Sequence, residues 1–164
     1  MRSQSRTLVI LVVMGLCWPM LAQDRPFTLG KTEQKLLEAA NESRTKEMIG
    51  KLTPNRTLTE IARKHAENMA RQEKMDHVLD GKGVAKRAEE GGYDYRVIGE
   101  NLAEATGDKD APAPTPAEIH KNWMESKPHR ANLLNPKFEQ VGIAVVKSAK
   151  GTYFYCQVFG TLQK

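Results

Sequence analysis

Three side chains of this sequence could do chemistry together: His77, Glu100 and His129. His77 follows the expected end of a helix, and Glu100 follows Gly99 inside an apolar run, which is an unusual place for a surface acid. His129 comes just after Pro128, which bars the preceding helix from continuing, so we expect this imidazole in a turn. Two imidazoles and one carboxylate can hold zinc and leave a position for water. The spacings are long, so they are compatible with such a site without establishing it.

Two other interpretations of the same residues stay open. Ser126, His129 and Glu100 together supply the groups of a serine hydrolase triad, although the sequence has no Gly-x-Ser-x-Gly turn. Alternatively, His77, Glu100 and His129 form a polar network that closes a cleft. In that case the carboxylate raises the pKa of the imidazoles by charge pairing, whether or not anything binds.

Composition argues against a nucleic-acid partner. The net charge is +5, but basic residues are interspersed with acidic ones, for example Lys31 with Glu33 and Lys86 with Glu89. This is typical of a mixed, solvated surface. Aromatic residues make up only 6% of the chain, which leaves few side chains on which bases could stack.

The first 22 residues have the pattern of a secretory signal peptide. Arg2 and Arg6 precede an apolar run from Leu8 to Trp18, and small Ala22 marks the expected cleavage point. The run is shorter than the roughly 20 residues that a membrane-spanning helix needs. We therefore predict a secreted, periplasmic or extracellular protein with no transmembrane segment after cleavage.

The rest of the chain is predicted to be an extended arm, residues 23–31, followed by one domain, residues 32–164. Helix and strand patterns alternate and end in a hairpin, which indicates an α+β fold with helices on both faces of a small sheet. The expected helix starts are Thr32, Thr57, Val84 and Thr115, and the expected strands are Val97–Ala103, Gln140–Val146 and Thr152–Phe159. The segment Pro112–Pro116 is expected to be a stiff surface loop, which either gates a cleft or merely spans it.

Several polar residues have ordinary structural interpretations. His65 is in register with the apolar face of the second helix, which favours a core histidine. His120 lies one position off the apolar stripe of its helix and is expected to be exposed. Cys156 sits in an aromatic, alternating run and is expected to be a small buried side chain. Arg87 and Arg130 are expected to form surface or structural pairs.

Four blocks of sequence together resemble the CAP superfamily of cysteine-rich secretory, antigen-five and pathogenesis-related proteins. The closer resemblance is to its bacterial branch of secreted SCP-like domains without disulfides, and it covers roughly residues 32–161. The blocks are Thr57–Ala70 before His77; Gly91-Gly92-Tyr93 with Gly99-Glu100-Asn101-Leu102-Ala103; Trp123–Leu134; and Phe138 with Val141–Ala144 and Tyr155–Gly160.

The resemblance implies a three-layer α-β-α sandwich with a small, mainly antiparallel central sheet and a shallow cleft. Two His and two Glu line the cleft in that family, and some members bind a divalent metal there. Residue by residue, the family pattern places its ligands at His77, Glu100 and His129. The second Glu is missing, because Ser126 occupies its position and the neighbouring Glu125 should face elsewhere on the helix.

Asn101 and Asn132 are interpreted as supports of the cleft. The expected function is that of a secreted binding or interaction module, which holds a divalent metal such as zinc, or a small-molecule, lipid or protein ligand. The alternative is a metal-dependent hydrolase, similar to a peptidase, that uses His77, Glu100 and His129 as catalytic residues. Loss of the second Glu removes the obvious spare general base and favours the binding module.

Overall fold

A computed structural model describes residues 27–106 and 114–164. The expected signal peptide, the first residues of the arm and the start of the Pro112–Pro116 loop lie outside these ranges. No helix within them is both long and apolar enough to cross a membrane. The helices are α1 (Lys31–Lys46), α2 (Arg56–Gln72), α3 (Val84–Glu90), α4 (Pro116–Glu125) and α5 (Lys127–Leu133), and the strands are β1 (Thr53–Pro54), β2 (Tyr95–Thr106), β3 (Gln140–Lys147) and β4 (Thr152–Leu162).

The four strands form one mainly antiparallel sheet in the order β1-β3-β4-β2. The expected terminal hairpin is β3–β4, and β2 runs antiparallel to β4 along nearly its whole length. At the expected turn of Pro54-Asn55, Pro54 is instead the second residue of β1, which pairs in parallel with β3, and Asn55 caps α2. A strand of two residues is too short to have a periodicity, so the sequence pattern could not reveal it.

Helices cover both faces of the sheet, so the chain forms the expected three layers. Successive strand residues point to opposite faces, and β4 has apolar residues in both positions. Phe154, Cys156 and Val158 pack with α2 and α3, whereas Tyr155 and Phe159 pack with α1, α4 and α5. The sheet is therefore buried on both sides.

The α2 helix lies unusually close to the sheet at Gly142. A Cβ atom added to this glycine would be 2.0 Å from the carbonyl carbon of Leu58. No side chain fits into that distance, so the glycine allows helix backbone and strand backbone to meet. The helix buries Leu58, Ile61 and Met69 along the face that the sequence pattern predicts.

The helix starts differ in part from those expected. Asn55 caps α2 by accepting a hydrogen bond from the Leu58 amide at 3.0 Å, so the capping box predicted at Thr57 is wrong. Gly30, not Thr32, is the residue before α1. The capping box at Thr115 is confirmed: its hydroxyl and the Glu118 carboxylate bind each other's backbone amides.

The expected turn at His129 is instead a short helix. Ser126 ends α4 and also precedes α5, and Pro128 occupies the first turn of α5. Proline lacks an amide hydrogen, but the first helical turn leaves its amides without intrahelical partners in any case. Pro128 therefore prevents α4 from continuing and also fits the start of α5. His129 is the next residue of α5.

Arg44 holds α5 in place. Its side chain is completely buried, and its three nitrogens donate to four backbone carbonyls, those of Gly50, Leu133, Asn135 and Phe138, at 2.7–3.0 Å. A planar guanidinium suits such a divergent set of acceptors. This one side chain links the end of α1 to the end of α5 and to the approach to β3.

Replacing Arg44 with Met should therefore destabilise the domain strongly. The change leaves four buried or half-buried carbonyls without their donor, and we expect a loss of about 3 kcal/mol or more in the free energy of unfolding. Urea unfolding followed by circular dichroism measures it. Arg63→Met is the matched control, since Arg63 is 44% exposed and only pairs with Glu33, and it should cost about 0.5 kcal/mol or less. Equal losses in both variants would contradict the assigned role of Arg44.

Candidate functional site

Glu100 is the buried centre of the site. Its side chain is only 2% exposed, and both carboxylate oxygens have strong partners. Oε1 accepts a hydrogen bond from Nδ1 of His77 at 2.8 Å, and Oε2 accepts one from Nη2 of Arg87 at 2.5 Å. The structure therefore brings His77 and Glu100 together, as expected, and adds Arg87.

Strand geometry explains which groups Glu100 meets. Its side chain points to the α2 face of the sheet, while that of the next residue, Asn101, points to the α5 face. On the α2 face, Nε2 of His65 is 4.0 Å from Oε1, and Sγ of Cys156 is 3.6 Å from Oε2. Glu100 is thus surrounded by groups from α2, α3, β4 and the loop that carries His77.

Arg87 does more than pair with the carboxylate. Its second terminal nitrogen donates to the backbone carbonyls of His77, at 3.0 Å, and Lys82, at 2.5 Å. One guanidinium therefore fixes both Glu100 and the loop that follows α2. Of the two roles expected for Arg87, the structural pair is correct. Its contact with Glu100 joins distant positions of the chain and left no local signal in the sequence.

The contacts shift the pKa values of these groups in opposite directions. Burial alone would raise the pKa of Glu100, but the hydrogen bond from His77 and the charge of Arg87 outweigh burial and hold that pKa below its usual value. The hydrogen bond to Glu100 raises the pKa of His77. Burial, with the nearby charge of His77, lowers the pKa of His129. At neutral pH Glu100 is consequently ionised, and His129 is neutral.

His77 is held in a defined orientation at the protein surface. Its side chain is 57% exposed, although Nδ1 is tied to Glu100. A carboxylate only accepts hydrogen bonds, so Nδ1 carries the proton. When the ring is neutral, Nε2 is then left with the lone pair that can bind a ligand.

Two asparagines form hydrogen bonds beneath the backbone of α5, at the level of His129. The amide nitrogen of Asn101 donates to the backbone carbonyl of His129 at 3.1 Å. The amide nitrogen of Asn132 reaches both the side-chain oxygen of Asn101, at 2.9 Å, and the backbone carbonyl of Glu100, at 3.1 Å. These bonds attach α5 to β2 and bring the His129 backbone to the same strand as Glu100.

The remaining expected site residues lie less centrally. Ser126 is half-buried at the junction of α4 and α5, and its side chain makes no capping hydrogen bond. Glu125 is 64% exposed and lies 3.8 Å from Lys121, which agrees with its expected outward direction. Among residues 27–106 and 114–164, no group of three or more His, Cys, Asp or Glu side chains is arranged to hold a metal ion.

Three further expectations have clear outcomes. His65 is buried, as expected for a core histidine, and its Nε2 lies 3.0 Å from the Asp76 carbonyl. Cys156 is buried, and burial raises the pKa of its thiol well above the usual value. The expectation that His120 is exposed is wrong, because it is buried between α4 and α1 and lies 2.8 Å from Oγ of Ser43. The buried face of α4 is therefore wider than its apolar residues alone indicate.

Comparison with known proteins identifies the family. The profile of the CAP family, described as the cysteine-rich secretory protein family, matches residues 37–159, which include the three candidate site residues. The chain belongs to the CAP family. The match extends from α1 to the middle of β4, so the CAP domain comprises both helical layers and the sheet.

Relatives of this CAP domain occur in bacteria. The uncharacterized protein YkwD of Bacillus subtilis is 33% identical over 124 residues, which are 75% of this chain and 46% of YkwD. The chain thus spans less than half of this curated relative. An outer surface protein of Borrelia burgdorferi superposes with a TM-score of 0.73 at 19% identity, over 84% of this chain and 97% of that one. An extracellular protein of Bacillus anthracis with an SCP domain gives 0.68 at 23% identity, over 83% and 44%.

Replacing Glu100 with Gln should lower the pKa of His77. The raised pKa depends chiefly on the hydrogen bond to an ionised partner, which Gln does not provide. A raised pKa in the folded state adds stability below the ordinary value of 6.5, and that stability is lost as the pH rises through the higher folded-state value. The variant should lack this loss above pH 6.5. NMR titration of the His77 ring protons measures the shift.

The exposed acid Glu125 provides the matched control for this titration. Glu125→Gln removes a carboxylate that lies beside Lys121, so the pKa of His77 should stay at its wild-type value. An unchanged His77 pKa in Glu100→Gln would contradict the assigned hydrogen bond.

Proposed function

We propose that this chain is a CAP-family binding module whose cleft presents His77 and His129 to a ligand without turnover. A divalent metal such as zinc is the first ligand that this site should bind. The observation that carries the proposal is the hydrogen bond from Nδ1 of His77 to Glu100, at 2.8 Å, because it holds an exposed imidazole with Nε2 facing away from its buried partner.

These residues fit a metal site if Glu100 orients His77 through their hydrogen bond and is not itself a ligand. Imidazoles that bind metals commonly donate their second N–H to a carboxylate, which fixes the ring and increases its basicity. Glu100 stands in that relation to His77, while both of its oxygens are already bonded. His77 and His129 would then hold the metal, which would supply a positive charge for a polar or anionic ligand in the cleft.

A solved relative makes zinc the natural first probe. The structure of NaASP2 with Zn²⁺ has the same fold as this chain, with a TM-score of 0.54 at 13% identity. Likeness at that identity concerns the fold, so the proposal for this chain rests on its own His77, Glu100 and His129.

The contacts of Glu100 and Ser126 disfavour the hydrolase alternative. Glu100 is a poor general base, because its carboxylate is paired with Arg87 and its pKa is lowered. In a serine triad the acid would orient His129, whereas Glu100 bonds to His77 instead. A non-catalytic cleft accounts for these contacts better.

We also propose that the protein acts outside the cytoplasm. The support is the signal-peptide pattern of residues 1–22 and the extracellular Bacillus anthracis protein with the same domain. The natural ligand in that location would be a small molecule, a lipid or a protein.

Calorimetric titration of zinc into the domain tests the site. The wild type should bind one zinc ion, and His77→Ala or His129→Ala should abolish binding, because each removes one of two protein ligands. Glu100→Gln should weaken binding by about 10- to 100-fold, the usual effect of losing a partner behind a ligand. His120→Gln is the control and should bind as the wild type does, since His120 lies against Ser43. Zinc binding that survives both alanine variants would refute the proposal.

Ser126→Glu should strengthen zinc binding. The substitution restores the carboxylate that the family has at this position, beside the start of α5 that carries His129. The same titration measures the effect, and Ala131→Glu is the control, because it adds the same single negative charge at an exposed position of α5. Equal affinities for the two variants would show that charge alone, and not a ligand position, is responsible.

A further inference from the structure

Folding gathers positive charge at the end of the domain where α1 and α5 meet. Two segments form this surface, residues 46–51 at the end of α1 and residues 127–137 in and after α5. They contain five basic side chains and one acidic side chain, in a chain whose total charge is +5. The basic residues are Lys46, Lys51, Lys127, Arg130 and Lys137. Most of the net charge of the chain therefore lies at this surface, which we call the α1–α5 end.

Side-chain contacts hold the two segments side by side. The buried Arg44 donates hydrogen bonds to backbone carbonyls of both segments. Glu47, the acidic residue of the α1–α5 end, lies 3.6 Å from Arg130. The four lysines of this end differ from Lys82 and Lys121, because none of the four forms an ion pair within residues 27–106 and 114–164. Their charges are thus available to an anionic partner.

An apolar groove lies on the outer side of α5. It is a shallow cavity of about 480 Å³, lined by Lys127, Arg130, Ala131, Leu134, Asn135 and Pro136. The first four of these residues follow the spacing i, i+3, i+4 and i+7, so they share one face of α5 and its C-terminal cap. Three lining residues are apolar and two are basic, and no acidic residue of the described chain lines the groove. The groove therefore combines apolar surface with positive charge.

Met48 projects from the turn beside this groove. Its side chain is 95% exposed, and the preceding residue, Glu47, is the one that reaches Arg130. Met48 has a φ of 57°, which is uncommon for a residue other than glycine. The amides of Met48 and Ile49 donate to backbone carbonyls of α1 at 3.1 and 2.8 Å. The turn thus holds a large apolar side chain in water, which is unfavourable unless something covers it.

We propose that the α1–α5 end docks this protein on the surface of an anionic phospholipid bilayer. Met48 would enter the boundary between headgroups and acyl chains, while the lysines would contact lipid phosphates. Apolar side chains bordered by basic residues are typical of proteins that lie on a membrane interface. Lysine stems can also cover apolar surface while their ammonium groups stay in water. The proposal does not depend on metal binding in the cleft.

The shape of the surface favours a bilayer over an acidic protein. A protein partner would need a cavity that matches the projecting Met48, whereas a bilayer deforms around it. Positive charge without acidic neighbours in the groove complements the negative surface potential of anionic lipids. The groove then faces the headgroups with its apolar and basic side chains together.

The test is cosedimentation of the protein lacking its first 22 residues with phospholipid vesicles. Vesicles of equal parts phosphatidylglycerol and phosphatidylcholine should bind it, pure phosphatidylcholine should bind it only weakly, and added salt should reduce binding. Replacing Lys127 and Lys137 together with Gln should lower the partition coefficient about 25-fold, because each lysine near an anionic surface contributes about fivefold. The matched control replaces Lys64 and Lys86 with Gln. It removes the same charge from exposed positions of α2 and α3, on the other face of the sheet, and should bind nearly as the wild type does.

A second pair of variants tests the apolar contact. Met48→Ser should weaken binding about fivefold or more, because the apolar side chain no longer leaves water. Met75→Ser removes another exposed methionine, outside the α1–α5 end, and should bind as the wild type does. The proposal is overturned if the two kinds of vesicle bind equally, if neither binds, if the two lysine double variants lose equal affinity, or if Met48→Ser has no effect. Binding to polyglutamate but not to vesicles would also overturn it, in favour of an acidic protein partner.

Discussion

The buried carboxylate of Glu100 is the constraint on which this end of the domain depends. An ionised carboxylate removed from water is strongly destabilising unless charged and hydrogen-bonding groups surround it. Those groups come from separate elements: His77 from the loop after α2, Arg87 from α3, and His65 from α2 itself. Neither the loop nor the seven-residue α3 buries many apolar side chains, and Ala88 is the one fully buried residue of α3. The pairing of Glu100 therefore stabilises the position of both, and removing it would affect the loop, α3 and the site together.

The other side of the same strand positions the rest of the site. Because β2 is at an edge of the sheet, its outward carbonyls need partners other than a neighbouring strand. Asn132 donates to the carbonyl of Glu100 at 3.1 Å, and the indole nitrogen of Trp123 donates to that of Leu102 at 2.9 Å. These bonds close the edge and attach α4 and α5 to it. The His77 ring therefore bonds to Glu100 and the His129 backbone carbonyl to Asn101, so both residues are attached to neighbouring positions of β2.

Features that depend on a few consecutive residues could be predicted from the sequence. Features that depend on contacts between residues far apart in the chain could not. The capping box at Thr115 is local and is predicted correctly, as is the apolar face of α2. The predicted cap of that helix is wrong by two residues, because Thr57 fits the same sequence pattern as Asn55 and only the backbone geometry distinguishes them. Pro128 indicates a helix stop, although it is equally suited to a helix start. The role of Arg87 depends on a partner 13 residues away and on the packing of α3, which no periodicity records.

The interactions that make Glu100 stable also limit what it can do. A carboxylate whose two oxygens are bonded to an imidazole and a guanidinium is a weak base, and burial keeps it from water that it could activate. Its remaining influence is electrostatic: it orients His77 and favours the protonated ring. The second acid that the family resemblance implies would occupy the position of Ser126, whose side chain carries no charge. A fully paired acid beside two differently tuned imidazoles supports the proposed binding role better than one in which Glu100 acts as the base.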